Sequence, residues 1–147
     1  MKIYFEYLKY VLEHKKNVFI ECWEEGLYIH AFTHDLSKFS PKEFFPYARW
    51  FYGENGVKCK EDNIYKDENK MDFLNAWQHH KDKNKHHWNY WSERDLKMPK
   101  KYITQMICDW KAMSRKFGDT AQEFYLSKRD DIELHEESRV ELEKQLK

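Results

Sequence analysis

The sequence is poor in the residues that make turns and β-sheets. Among 147 residues it has only four glycines and three prolines, so turns are few and the elements between them are long. Valine, isoleucine and threonine, which favour strands, number only 14. Aromatic side chains make up 18 % of the chain, which is ample material for a core and excludes a disordered tail. The composition predicts a single all-α domain over residues 1–147.

The chain also lacks the patterns of secreted proteins, thiolate zinc sites and membrane proteins. Its three cysteines, Cys22, Cys59 and Cys108, are widely spaced and form no CxxC pair, so neither a disulfide framework nor a thiolate zinc site is indicated. No apolar run reaches the roughly 18 residues of a membrane-spanning helix, and the first residues show no signal-peptide pattern. We therefore expect a cytoplasmic protein that does not enter a membrane.

The charge is balanced over the chain but unevenly distributed. The formal net charge is zero, yet residues 81–116 contain ten Lys or Arg and four Asp or Glu, a local excess of +6. Such a stretch is usually a solvated face, and the alternative is that it attracts a phosphorylated ligand. Because no long basic face accompanies the zero net charge, we expect no stable complex with nucleic acid.

Hydrophobic periodicity and helix-stop residues predict seven helices. They cover approximately residues 2–25, 27–33, 41–53, 68–83, 99–117, 120–128 and 133–146. At the start of the third helix, Ser40 and Glu43 have the spacing of a capping box, with Pro41 at the first helical position. Residues 54–67 show no periodicity and are predicted to form a loop or lid.

Three of the predicted helices carry a polar residue on their apolar face. His14 lies within the apolar stripe of the first helix, His80 shares a face with Phe73 and Trp77, and Asp109 shares a face with Met106. A buried carboxylate needs a counter-charge, and the Asp109 face has no Lys or Arg to supply one, so a metal ion is a candidate. The alternative for His14 is a hydrogen-bonded core histidine.

Two further clusters contain metal-ligating residue types. His34 and Asp35 form an HD pair within the string HDLSK, and four of the eight histidines, His79, His80, His86 and His87, lie within nine residues. The interleaved tryptophans favour burial of this tract over a surface tract that binds metal adventitiously. Imidazole and carboxylate ligands without thiolate suit iron, manganese, nickel or zinc. We expect His30 and His135 to be structural or surface residues.

In chain order these residues resemble the HD-domain superfamily of metal-dependent phosphohydrolases, whose motif is H…HD…D on a helical bundle. The additional histidines are similar to those of the HD-GYP cyclic-dinucleotide phosphodiesterases, which read H…HD…H…HH…D. The positions that match are His14, His34, Asp35, Lys38, His80, His86, His87 and Asp109. The GYP string is absent, and the di-iron oxygenases of inositol and phosphonate breakdown have a similar histidine order. The strings HDLSKF, HxxxNxHHW and MP…CDWKAMSRKFG also resemble a family of small bacterial and phage proteins of unknown function.

The HD resemblance implies a compact bundle of about six to seven helices and an enzyme that hydrolyses a phosphate ester of a nucleotide or cyclic nucleotide. It implies two divalent ions bridged by Asp35, with iron or manganese favoured over nickel or zinc. One ion would be held by His80, His86 and His87 and the other by His14, His34 and Asp109. Asp35 and Lys38 would be catalytic.

Candidate substrate contacts are Lys38, Asn84, Arg115 and Trp88. Each has a second interpretation: Lys38 as a solvent-exposed residue, Asn84 as an orienter of a ligating histidine, Arg115 as a capping or exposed residue, and Trp88 as a core residue. Two other functions use the same residues. One is a di-iron oxygenase, and the other is a non-catalytic module that binds a metal or a nucleotide.

Overall fold

The structure is a computed structural model that describes residues 1–53 and 67–147, without the side chains of residues 67 and 68. Within these ranges it contains no strand and eight α-helices, which confirms the all-α prediction. The helices are α1 (Lys2–Glu24), α2 (Tyr28–Thr33), α3 (Pro41–Tyr52), α4 (Asp67–Lys83), α5 (Trp88–Ser92), α6 (Lys100–Phe117), α7 (Ala121–Lys128) and α8 (Glu136–Leu146). Two short 3₁₀ helices cover Leu36–Phe39 and Arg129–Asp131. No helix in the described ranges is both long and apolar enough to cross a membrane.

The seven predicted helices are confirmed, and their ends lie within three residues of the predicted positions. Glycines mark two of these ends, since Gly26 after α1 and Gly118 after α6 have positive φ angles of 72° and 84°, a conformation that glycine adopts without steric cost. The sequence did not predict α5, whose five residues are too few to show periodicity. The predicted loop or lid over residues 54–67 lies outside the described residues except for residue 67, which begins α4.

The capping box predicted at the start of α3 is wrong. Ser40 is the N-cap and Pro41 the first helical residue, as expected, but the Ser40 side chain makes no capping bond. Its hydroxyl donates instead to the carbonyl oxygen of Ser37 at 2.6 Å. Glu43 cannot close the box because its side chain is fully buried and bound to histidines of α4. Imidazole donors on α4 therefore determine the position of Glu43.

The chain divides into two compact units, and each is made of two separate stretches. The first unit contains Met1–Glu13 and Asp35–Lys83, and the second contains His14–His34 and Asn84–Lys147. The core of the first unit is aromatic, with buried Tyr7 and Tyr47 packed beside small or β-branched residues. This core forms because the inward faces of α1, α3 and α4 carry these residues at helical spacing.

The second unit has two apolar clusters. One contains Val18 and Cys22 of α1 with Cys108 of α6. The larger one lies between α6, α7 and α8, and its fully buried members include Ile103 and Leu142. α6 contributes to both clusters, so the position of its Asp109 is set by well-packed neighbours on either side along the helix.

Candidate metal centre

Four ligand-type side chains of the second unit come together, and we call them the His–Asp cluster. It contains His14 from α1, His34 from the end of α2, His86 from the segment between α4 and α5, and Asp109 from α6. All three imidazoles are buried, and the Asp109 side chain is 14 % exposed. All four residues are ligands predicted from the sequence.

The three imidazoles direct their Nε2 atoms to the Asp109 carboxylate. Nε2 of His14 and of His34 lie 2.9 Å and 3.4 Å from Oδ1, and Nε2 of His86 lies 3.8 Å from Oδ2. The Nε2 atoms of His14 and His34 are 3.4 Å apart. Two ligands of one tetrahedral zinc-like ion, each about 2.1 Å from it, are about 3.4 Å apart. The spacing of the cluster therefore fits the donor atoms of a single divalent ion.

The electrostatics of Asp109 also fit a cation site. Burial by itself would raise the pKa of this carboxyl, but the contacts with His14 and His34 outweigh burial and hold the pKa well below its usual range. Within the described part of the chain, Oδ1 is a buried acceptor without a hydrogen bond of good geometry. A buried oxygen of this kind calls for a further partner, and a metal ion is a suitable one.

His30 and Lys15 hold His34 from outside the cluster. Nδ1 of His34 lies 3.2 Å from Nε2 of His30, one helical turn earlier. The Lys15 ammonium donates to the carbonyl oxygens of Phe32 and His34 at 2.8 Å and 3.1 Å, which caps the C-terminal end of α2. If Nδ1 of His34 carries the proton of that contact, Nε2 is left to bind an ion. Sequence reasoning gave His30 no part in the site, although its i,i+4 spacing from His34 was a usable signal.

The first unit contains a second group of titratable residues, all buried or partly buried, which we call the Glu43 cluster. Its members are Asp35, Lys38, Glu43, His79 and His80. Asp35 has a positive φ of 53°, in the left-handed region that Asp tolerates better than most side chains. Its Oδ2 accepts from the Lys38 ammonium at 2.6 Å, and its Oδ1 lies 3.5 Å from Nε2 of His80.

The Glu43 carboxylate is fully buried and binds two consecutive histidines. Nδ1 of His79 lies 2.6 Å from Oε1, and Nδ1 of His80 lies 2.8 Å from Oε2. Burial alone would raise the pKa of Glu43, but the contacts with His80 and His79 lower it overall. Sequence reasoning missed Glu43, because its spacing from Ser40 suggested a local role at the helix end.

Comparison with known proteins gives a family and no activity. A match to the family of unknown function DUF5662 covers residues 4–147. The chain belongs to this family. No curated protein and no solved structure matches it. The family adds no known chemistry, so the resemblance of this DUF5662 member to HD-domain hydrolases stays a prediction.

The remaining predicted site residues of this DUF5662 chain have varied surroundings. Asn84 is buried, and its carbonyl oxygen accepts from the backbone N–H of His87 at 3.2 Å, which closes the turn that presents His86. The half-buried ring of His87 lies 4.3 Å from the ring of His86, measured between centroids. Trp88 packs against the larger apolar cluster of the second unit. Arg115 donates to the buried carboxylate of Glu21.

Proposed function

We propose that the chain is a metal-dependent phosphohydrolase that acts on a nucleotide or cyclic nucleotide. The observation that carries the proposal is the convergence of three imidazole Nε2 atoms on the Asp109 carboxylate. A structural salt bridge needs one imidazole, and three imidazoles around one carboxylate are the donor set of an iron, manganese or zinc site. The order of these residues along the chain supports the hydrolase class through the HD resemblance.

His14, His34, His86 and Asp109 would hold a divalent ion, with iron or manganese favoured. When bound, such an ion lowers the pKa of a coordinated water toward neutrality and makes hydroxide available for attack on phosphorus. For a second ion, the first unit would supply Asp35 and His80. The bridging of two ions by Asp35 and the participation of His87 stay predictions from the resemblance.

The other residues of the two clusters would orient ligands and bind the phosphoryl group. His30 and Lys15 hold His34 by its ring and its backbone carbonyl. The Lys38 ammonium, whose side chain is 16 % exposed, lies beside Asp35. A phosphoryl transition state carries negative charge on its oxygens, and a cation of this kind stabilises that charge. The basic excess of residues 81–116 would add attraction for an anionic substrate.

Comparing two metals under one assay tests the proposal. Apo protein is loaded anaerobically with Mn²⁺ or Fe²⁺ and given bis(p-nitrophenyl) phosphate, followed by a panel of nucleotides and cyclic nucleotides. Phosphate-ester cleavage is measured together with oxygen uptake. We expect cleavage with Mn²⁺ and no oxygen consumption, and we expect the matched Asp109→Asn protein to be inactive.

Two other outcomes would favour the alternative functions. Turnover only with Fe²⁺, coupled stoichiometrically to oxygen uptake, would replace the hydrolase by a di-iron oxygenase, because the same imidazole and carboxylate ligands suit iron. Tight nucleotide binding without turnover with either metal would show a non-catalytic binding module.

A further inference from the structure

Glu43 occupies an unusual position for a carboxylate. It lies in the first turn of α3 and is fully buried. Both of its oxygens accept from imidazole Nδ1 atoms near the C-terminal end of α4, those of His79 and His80. The N-terminal end of a helix stabilises negative charge, so α3 helps to keep this carboxylate ionised. Burying a charged carboxylate costs desolvation free energy even when two donors bind it. Apolar residues in the same place would not have this cost.

The hydrogen bond to Glu43 determines which nitrogen of His80 is available for binding. An imidazole whose Nδ1 donates to a carboxylate presents Nε2 as its second nitrogen, and it carries a lone pair there when the ring is neutral. Nε2 of His80 lies 3.5 Å from Oδ1 of Asp35. This distance is close to the separation of two donor atoms on one divalent ion, about 3.4 Å for metal–ligand bonds of about 2.1 Å.

We propose that Glu43 is a positioning residue that fixes the His80 ring with Nε2 as its metal-binding nitrogen, an inference that rests on the proposed metal-dependent function. The arrangement is a carboxylate–histidine pair behind a metal ligand. Such pairs set the ring orientation and the tautomer of the ligand and raise its basicity. His79 binds the other oxygen of Glu43 and, with a side chain 24 % exposed, limits the rotation of the carboxylate.

The direct test is NMR of protein with ¹⁵N-labelled histidine, first metal-free and then saturated with Zn²⁺ at one neutral pH. A His80→Asn sample assigns the His80 signals. We expect Nδ1 of His80 to carry a proton in both states and the Nε2 resonance to shift on Zn²⁺ addition. Nδ1 without a proton, or a proton retained on Nε2 at Zn²⁺ saturation, would overturn the proposal. Both outcomes are read from the wild-type protein, and the variant serves only for assignment.

A variant pair tests the energetic consequence. Glu43→Gln keeps the shape of the side chain but removes its charge and one acceptor, so the Zn²⁺ affinity of the site that shifts Nε2 of His80 should fall about 10–100-fold. Glu21→Gln is the matched control, because Glu21 is also a buried carboxylate but its partner is Arg115. We expect the control to retain wild-type affinity. Equal affinities in all three proteins would overturn the positioning role.

The outcome is separable from that of the proposed function. Wild-type protein that binds Zn²⁺ through Nε2 of His80 and hydrolyses no phosphate ester with Mn²⁺ would leave the role of Glu43 intact and end the hydrolase proposal. Hydrolysis by the wild-type protein together with an unchanged Zn²⁺ affinity in Glu43→Gln would support the hydrolase proposal and end the positioning role of Glu43.

Discussion

Oδ1 of Asp109 lies 2.9 Å from Nε2 of His14, although the two residues belong to helices near opposite ends of the chain. They are the first and the last of the residues whose order resembles H…HD…D. Because they are in contact within the second unit, α1 and α6 bring both ends of this series to one position. An adventitious surface cluster has no reason to be buried between two long helices.

The Asp109 contact predicts that metal retention and folding are separable. In Asp109→Asn the carboxylate charge is removed from a site where three imidazoles approach it, so the bound metal should be lost. The helices should persist, because removing a buried charge together with its counter-ion can be nearly neutral for stability. Metal content by mass spectrometry and helix content by circular dichroism check both expectations.

A surface aspartate provides the control for this experiment. Asp119 follows α6 and is exposed, so Asp119→Asn should retain wild-type metal content. Loss of helical signal in Asp109→Asn with an unchanged metal content would contradict the assignment of Asp109 as a ligand.

Helical periodicity was sufficient to predict the residues that face inward. His14, His80 and Asp109 were selected because they share an apolar face with core residues, and all three side chains lie in the clusters described above. Periodicity works for these residues because a helix fixes the direction of each side chain relative to its neighbours at i±3 and i±4. It does not depend on knowing the tertiary contacts.

Glu43 shows where sequence reasoning stopped. Its spacing from Ser40 matches a capping box, and nothing local distinguishes that from a side chain turned inward. The deciding partners, His79 and His80, lie in another helix. The tertiary hydrogen bonds of Glu43 override its local propensity and are not encoded in spacing. The case of His30 is different, since its i,i+4 spacing from His34 was visible and only its contact with Nδ1 of His34 required the structure.

The larger apolar cluster of the second unit predicts a strong dependence on the C-terminal helix. Leu142 of α8 is fully buried among residues of α6 and α7, so Leu142→Ala should lower the free energy of unfolding by about 2–5 kcal/mol. Leu126 of α7 is 62 % exposed, and Leu126→Ala should change it by only about 0.5 kcal/mol or less. Urea unfolding followed by tryptophan fluorescence measures both. Similar effects in the two variants would mean that α8 does not contribute to the core.

The contacts of Glu143 predict that the stability of the fold falls when the pH is lowered. Its Oε1 accepts from the Tyr125 hydroxyl at 2.7 Å and from Arg129 at 3.1 Å, and these contacts lower the pKa of Glu143, the Tyr125 hydrogen bond most of all. A carboxyl with a depressed folded-state pKa stabilises the fold above its ordinary pKa, near 4.5, and loses that contribution as the pH falls through the folded-state value.

The comparison of wild type with Glu143→Gln isolates this contribution. The wild-type protein should have the higher Tm at neutral pH, and the difference should shrink as the pH is lowered below about 4.5, where the Glu143 carboxylate becomes protonated. Thermal unfolding at a series of pH values provides the measurement. A difference that grows on acidification has the opposite sign and would contradict the assigned contacts.

Replacing Lys38 is expected to affect phosphate binding and metal binding differently. The Lys38 ammonium lies 2.6 Å from Oδ2 of Asp35, so it neutralises that carboxylate. The proposed function gives it a phosphoryl oxygen as a second partner. Lys38→Gln should weaken competitive inhibition by inorganic phosphate by about 1.5–3 kcal/mol, the value of a charged hydrogen bond. It should not weaken metal binding, because removing the ammonium leaves Asp35 more available to an ion.

The exposed Lys42 of α3 gives the control, and Lys42→Gln should change neither the phosphate inhibition nor the metal binding. Phosphate inhibition that stays at the wild-type level in Lys38→Gln would mean that the lysine serves only as the partner of Asp35.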